Sequence, residues 1–156
     1  MTDPITTPRL VHAFDVIARV DAPVEIGETP LGARRLIPIL DGTVSGPRLT
    51  GKLIPGGVDY QIIRADGLAD IHARYAIETP EGARVYVENT GIRHGPPEAM
   101  ARLRRGEPVD PALIYFRATP KFETADPALA WMMRAILLCS GARFPDRVVL
   151  RMFEVT

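Results

Sequence analysis

Asp59 follows the segment Pro55-Gly56-Gly57-Val58, and this is where the chain offers its first candidate for chemistry. Two adjacent glycines permit backbone conformations closed to other residues, so the chain can bend and deliver Asp59 at the mouth of a strand. The same carboxylate could equally accept turn hydrogen bonds. Nearby runs alternate polar and apolar residues, and in a strand residues two apart share a face. Between Leu68 and Thr79, Asp70, His72 and Arg74 point one way, and Ile71, Ala73, Tyr75 and Ile77 the other. Asp59 shares a face with Gln61 and Ile63, Arg84 and Tyr86 with Glu88, Val85 and Val87 with Asn89, and Tyr115 with Arg117.

Acid, imidazole, guanidinium and phenol on adjacent strands are the ingredients of a polar pocket, and equally of a solvated outer face. As a pocket, they assign Asp59 as general acid or base and Tyr115 as hydrogen-bond donor to developing negative charge. Arg74 and Arg117 would hold a carboxylate or enolate, with His72, Glu88 and Trp131 completing the binding set. Trp131, the single tryptophan, serves as readily as a core anchor.

Other chemistries find little support. His12, His72 and His94 have no metal-ligand spacing, and no phosphate-binding glycine loop, His-Glu-x-x-His helix or Gly-x-Ser-x-Gly elbow is present. Cys139 sits in the apolar run Ile136-Leu137-Leu138, which predicts a buried, inert thiol. Lys52 and Lys121 are the only lysines. Neither a cofactor nor a metal is expected.

The elements that must position these residues are short. Thirteen glycines and fifteen prolines punctuate the chain, with alternating segments between them. Strands are expected over Leu10–Val20, Val24–Thr29, Arg34–Leu40, Leu49–Ile54, Val58–Ala65, Leu68–Thr79, Ala83–Ile92, Leu113–Thr119, Ile136–Cys139 and Arg147–Val155. Pro38 suggests an edge or a bend, Asp41-Gly42 a tight turn, and Asp66-Gly67 the strongest hairpin turn. Helix formers from Pro97 to Arg105, and the cap-and-proline pair Asp126-Pro127, predict short helices near 97–105 and 127–133. The expected fold is all-β, an antiparallel up-and-down barrel of calycin type with about nine or ten strands.

The chain's 156 residues fit one domain, 1–156. Nineteen Lys+Arg balance nineteen Asp+Glu, which argues against a nucleic-acid or anionic-membrane partner. One cysteine excludes an intrachain disulfide framework, no apolar run has the length of a membrane span, and the N-terminus lacks a leader pattern. A cytoplasmic protein is expected. Aliphatic rows behind the strands need cover, which makes a homodimer plausible.

The ordered motifs resemble the domain-of-unknown-function family 3237. They are Arg35-Leu36-Ile37-Pro38-Ile39, Asp41-Gly42, Gly46-Pro47, Gly51, Pro55-Gly56-Gly57-Val58-Asp59-Tyr60, Asp66-Gly67 and Ala73-Arg74-Tyr75. Glu81-Gly82-Ala83, Asn89-Thr90-Gly91-Ile92-Arg93, Tyr115-Phe116-Arg117, Phe122-Glu123-Thr124 and Trp131 continue the series. The resemblance implies a β-barrel of bacterial and fungal distribution with no established general activity. Of the matched positions, Asp59, Arg74, Tyr75, Arg93, Tyr115, Arg117 and Glu123 could do chemistry.

Three functional readings follow. The first is a cofactor-independent lyase, isomerase or cyclase acting on a small organic acid or polyketide-like metabolite. The second is a non-catalytic barrel binding a similar anionic or aromatic ligand, and the third a structural or interaction domain. A two-residue turn at Asp66-Gly67 would make paired residue numbers sum to about 133, placing Asp59 opposite Arg74 inside the barrel.

Overall fold

The computed structural model describes residues 1–156. Its strands are β1 (Leu10–Val20), β2 (Val24–Thr29), β3 (Gly32–Ser45), β4 (Gly51–Ile63), β5 (Ala69–Glu78), β6 (Arg84–His94), β7 (Tyr115–Thr124), β8 (Ile136–Arg143) and β9 (Arg147–Val155). From β3 to β9 each strand pairs antiparallel with the next, and β1 pairs with both β9 and β3. Eight strands therefore close into a barrel, while β2 stands outside the ring on the edge of β3. Closure removes the free edges that an open sheet would expose.

Helix α1 (Pro97–Arg104) and a 3₁₀ helix over Pro127–Met133 occupy the two expected segments, and a further turn lies at Pro111–Leu113. Proline in the first turn, Glu98 near the start and Arg102 and Arg104 near the end all suit the helix dipole of α1. Asp126 Oδ1 accepts the Ala128 N–H at 2.8 Å and caps the second helix. No helix is long and apolar enough to cross a membrane.

Two turn assignments are corrected. β3 runs straight through Pro38 and Asp41-Gly42. Pro38 lies where the neighbour of β3 changes from β1 to β2, between the pairs Val20↔Ile39 and Val24↔Leu36, and its carbonyl accepts the Asp21 N–H at 3.0 Å. Its absent N–H falls at a break in the ladder, so no bond is lost. Gly42 is needed for closeness instead of turning: a Cβ there would sit 2.2 Å from the Ile17 carbonyl of β1. Likewise, Pro55-Gly56-Gly57 does not separate two strands. β4 is continuous, with a bulge between Ile54 and Val58 that absorbs the three residues.

The barrel interior has two halves. Around Phe14, Val16, Ile77, Val85 and Met152 it is filled with fully buried apolar side chains, Phe14 and Phe122 meeting edge-on at 5.8 Å. Toward the other end, where β4 joins β5 and β8 joins β9, polar groups enter and a cavity opens. Helix α1, in the β6–β7 connection, buries Ala99, Met100 and Leu103. Its C-terminal carbonyl at Arg104 accepts a hydrogen bond from buried Arg35 (3.2 Å), which ties the helix to β3.

Candidate functional site

The cavity has a volume of about 50 Å³. Its polar lining comes from three neighbouring strands and from β8: Asp59 and Gln61 on β4, Tyr75 on β5, Asn89 and Arg93 on β6, and Arg143 on β8. Ladder register explains the arrangement. Asp59 pairs with Ala73, and Ala73 with Asn89, so these three share one interior rung. Arg93 belongs to a rung nearer the end of β6, beside Ala69 and Phe116. Ile37, Ile71, Phe116 and Leu150 supply much of the apolar wall.

Asp59 is held from two sides. Its Oδ1 accepts the backbone N–H of His72 at 2.8 Å, and its Oδ2 accepts from Gln61 Nε2 at 3.2 Å. Burial nevertheless raises its pKa above the ordinary carboxylate value, against the pull of those hydrogen bonds and of the Arg93 charge. A carboxyl so poised can exchange a proton closer to neutral pH than an exposed aspartate does.

Arg93 is the most exceptional side chain of the wall. The residue is only 7% exposed. Its guanidinium forms no hydrogen bond with the protein through buried Nε and no ion pair with any carboxylate; its one aromatic neighbour is the Phe116 ring, 5.5 Å away. Desolvation draws its pKa down to about 10. Arg143 is also lowered by burial, and it donates to the Phe144 and Arg147 carbonyls of the β8–β9 connection. Arg35, paired with Gln61 across β3 and β4, stands 3.7 Å from Glu25. Arg35 and Arg143 both act on Arg93 through their charge. The cavity wall itself thus holds two guanidiniums, Arg93 and Arg143, to one carboxylate, Asp59, an excess of positive charge in a low-dielectric space, while Arg35 lies outside the lining beside Glu25.

Most of the expected site residues lie elsewhere. Arg74 pairs with Val58 instead of Asp59, points outward, and stands 3.7 Å from Glu88 on the barrel surface. Glu88 accepts from Tyr86 Oη at 2.7 Å, also outside. Tyr115 is half exposed, with the Arg117 guanidinium 5.4 Å above its ring and His94 stacked at 5.2 Å. His72 turns its side chain away and contributes only its backbone N–H. Trp131 packs beneath Arg48, 3.6 Å from its guanidinium, against the apolar half of the barrel. The expected meeting of Asp59 with Arg74 does not occur, and the cause is one residue. Arg64 N–H donates to the Leu68 carbonyl at 2.8 Å, leaving a three-residue loop, Ala65-Asp66-Gly67, with Gly67 at φ 89°. An odd loop shifts the register by one and sends Arg74 to the other face.

Gln61, Asn89, Arg35 and Arg143 were not singled out from the sequence. Gln61 and Asn89 carried a usable signal, since each shares strand parity with a residue that is buried, Ile63 and Val87 respectively. Arg143 carried none. Cys139 is buried as expected, its thiol pushed up to about 12 by desolvation. No group of three or more His, Cys, Asp or Glu side chains assembles as a metal site.

The chain is 51% identical over 144 residues to a UPF0311 protein of Bradyrhizobium diazoefficiens, covering 92% of this chain and 94% of that one. Among solved structures it is similar to a conserved protein of unknown function from Rhodopseudomonas palustris, at 45% identity and a TM-score of 0.92, covering 97% and 100% of the two chains. A β-barrel-like protein of Acinetobacter baumannii matches at 33% identity, TM-score 0.86, over 100% of both. A more distant structure, an enzyme from Penicillium herquei, shares the fold at 17% identity and a TM-score of 0.74 over 100% of both chains. With its sequence matched from residue 8 to residue 155, the protein belongs to the DUF3237 family of proteins of unknown function.

Proposed function

We propose that the barrel binds a small organic anion with an apolar or aromatic body, and that Asp59 exchanges a proton with it in a cofactor-independent lyase, isomerase or cyclase reaction. The observation that carries this reading is Arg93, a buried guanidinium at the cavity wall with no carboxylate partner. A buried charge is costly unless paired, and a ligand carboxylate, enolate or phenolate supplies the pair. Arg143 adds a second cation, and the apolar wall suits a hydrocarbon body. Within this frame, Asp59 as carboxylate removes a proton next to a carbonyl while Arg93 stabilises the resulting enolate. The protonated acid returns the proton at another atom.

A non-catalytic binding barrel is the second reading, favoured by the fact that both Asp59 oxygens already accept hydrogen bonds. The two separate experimentally. Thermal-shift screening with aromatic, hydroxy and keto acids should raise the melting temperature of the wild type and not that of Arg93→Met. An acid that stabilises the protein and is turned over by the wild type, but bound unchanged by Asp59→Asn, identifies a catalyst; binding without turnover identifies a carrier. Equal stabilisation of wild type and Arg93→Met by every acid would remove the anion site altogether.

A further inference from the structure

We infer that the ligand of this cavity carries a hydroxyl group at the end remote from its anion, and that Tyr75 and Asn89 receive it; the inference rests on the anion-binding reading above. Five buried side-chain polar atoms of the protein have no hydrogen-bond partner within it: Arg35 Nε, Gln61 Oε1, Tyr75 Oη, Asn89 Oδ1 and Arg93 Nε. Four of the five belong to residues that line this one cavity. Buried polar atoms are almost always satisfied, and each that is not costs about 1–3 kcal/mol. Such a concentration in one place marks a surface shaped for a polar guest.

The kind of atom left over specifies the guest. Gln61 donates its Nε2 to Asp59, which fixes the amide so that its oxygen remains over, one rung from Asn89 toward the Arg93 end. Asn89 presents a second acceptor from the Asp59 rung, beside the Cys139 thiol. Tyr75 pairs with Val87, one rung further in, and offers a phenol that both donates and accepts. Two acceptors require a donor. An ammonium group would meet that need, but Arg93 and Arg143 on the cavity wall outnumber Asp59 and repel a cation. A neutral O–H fits both demands: it donates to an amide oxygen and accepts from the Tyr75 O–H. Burial keeps that phenol protonated, and so a donor.

The positions also set the spacing. Asn89 and Arg93 are both interior on β6 and four residues apart, about 13 Å between Cα atoms. The anion therefore sits toward Arg93 and the hydroxyl toward Tyr75, with the apolar body between them against Ile71 and Phe116. The ligand class is a hydroxy acid whose two polar groups lie at opposite ends of a flat or apolar core, as in a para-hydroxylated aromatic acid.

Isothermal titration with 4-hydroxybenzoate and its near-isostere 4-methylbenzoate tests this, with benzoate as reference and the uncharged pair phenol and toluene alongside. The wild type should bind 4-hydroxybenzoate about tenfold tighter than 4-methylbenzoate, the worth of one good hydrogen bond. That preference should vanish in Tyr75→Phe and in Asn89→Leu. Equal or tighter binding of the methyl compound by the wild type overturns the inference, as does a preference that survives both substitutions. Arg93-dependent binding of benzoate without any hydroxyl preference sinks this inference alone and leaves the anion site. Preference for phenol over toluene with no binding of any acid does the opposite, and binding of none of the five probes removes both.

Discussion

Asp59 and Arg93 face one cavity and act on each other through their charges, yet they form no ion pair. Each is shifted by burial against the direction its neighbour pulls. This is an arrangement strained in its electrostatics, and replacing Arg93 should relieve it. Arg93→Met removes a guanidinium whose desolvation outweighs the attraction of Asp59. We expect stability to rise by about 1 kcal/mol, roughly 2–4 °C in Tm, together with loss of acid binding. A fall in Tm, measured by calorimetry without ligand, would show that Asp59 alone already balances the charge.

The raised pKa of Asp59 predicts a pH signature. A carboxyl whose folded pKa lies above its unfolded value binds the proton more tightly when folded. Its contribution to stability is then fully present below the unfolded carboxylate range and lost as pH rises through the folded pKa. Arg35, Arg93 and Arg143 stay charged throughout this window, so they do not contribute to the slope. The stability of wild type relative to Asp59→Asn should therefore decline from about pH 4 toward neutrality. Urea unfolding of both proteins across that range checks the slope; a rising difference would mean that hydrogen bonds from His72 and Gln61 outweigh burial.

The three-residue loop Ala65-Asp66-Gly67 sets which side chains enter the barrel. Gly67→Ala keeps the register, strains a backbone at φ 89°, and should cost about 1 kcal/mol.

Outward residues give the contrasting control. Arg74 and Glu88 stand 3.7 Å apart with about half of each side chain in solvent. Arg74→Ala, Glu88→Ala and Arg117→Ala should each change stability by less than about 0.5 kcal/mol and leave the affinity for benzoate untouched. A marked loss of affinity in any one would relocate the site to the outer face of β5–β7.

Gly42 makes a sharper test of closure. A methyl group there meets the Ile17 carbonyl at 2.2 Å and the Leu53 side chain at 2.9 Å. Gly42→Ala should destabilise the protein by about 1–3 kcal/mol by prising β1 from β3. Hydrogen exchange should report this first along the β1–β3 ladder.

Local chemistry alone placed much of this molecule. β1 and β2 end where the alternation ends, α1 lies over its run of helix formers, and Asp126-Pro127 begins the second helix. These features depend on neighbours a few residues away, and short-range sterics and capping determine them. Interior and exterior were a different matter. Alternation divides a strand into two faces but does not name the inner one, and the polar face of β5 (Asp70, His72, Arg74) proved to be the solvent side, while β4 carries Asp59 and Gln61 inward. That choice belongs to the ring of eight strands acting together: one residue in the β4–β5 loop fixes the parity between them, and the bulge at Pro55-Gly57 keeps it. Arg143 reaches the cavity from the far side of the barrel, over eighty residues from Asp59, and the two come together only when β1 meets β3 and β9. The residue types for an anion site were thus visible along the chain, but which of the guanidiniums would be buried with Asp59 was decided by closure, because burial is a property of the assembled ring and not of any strand.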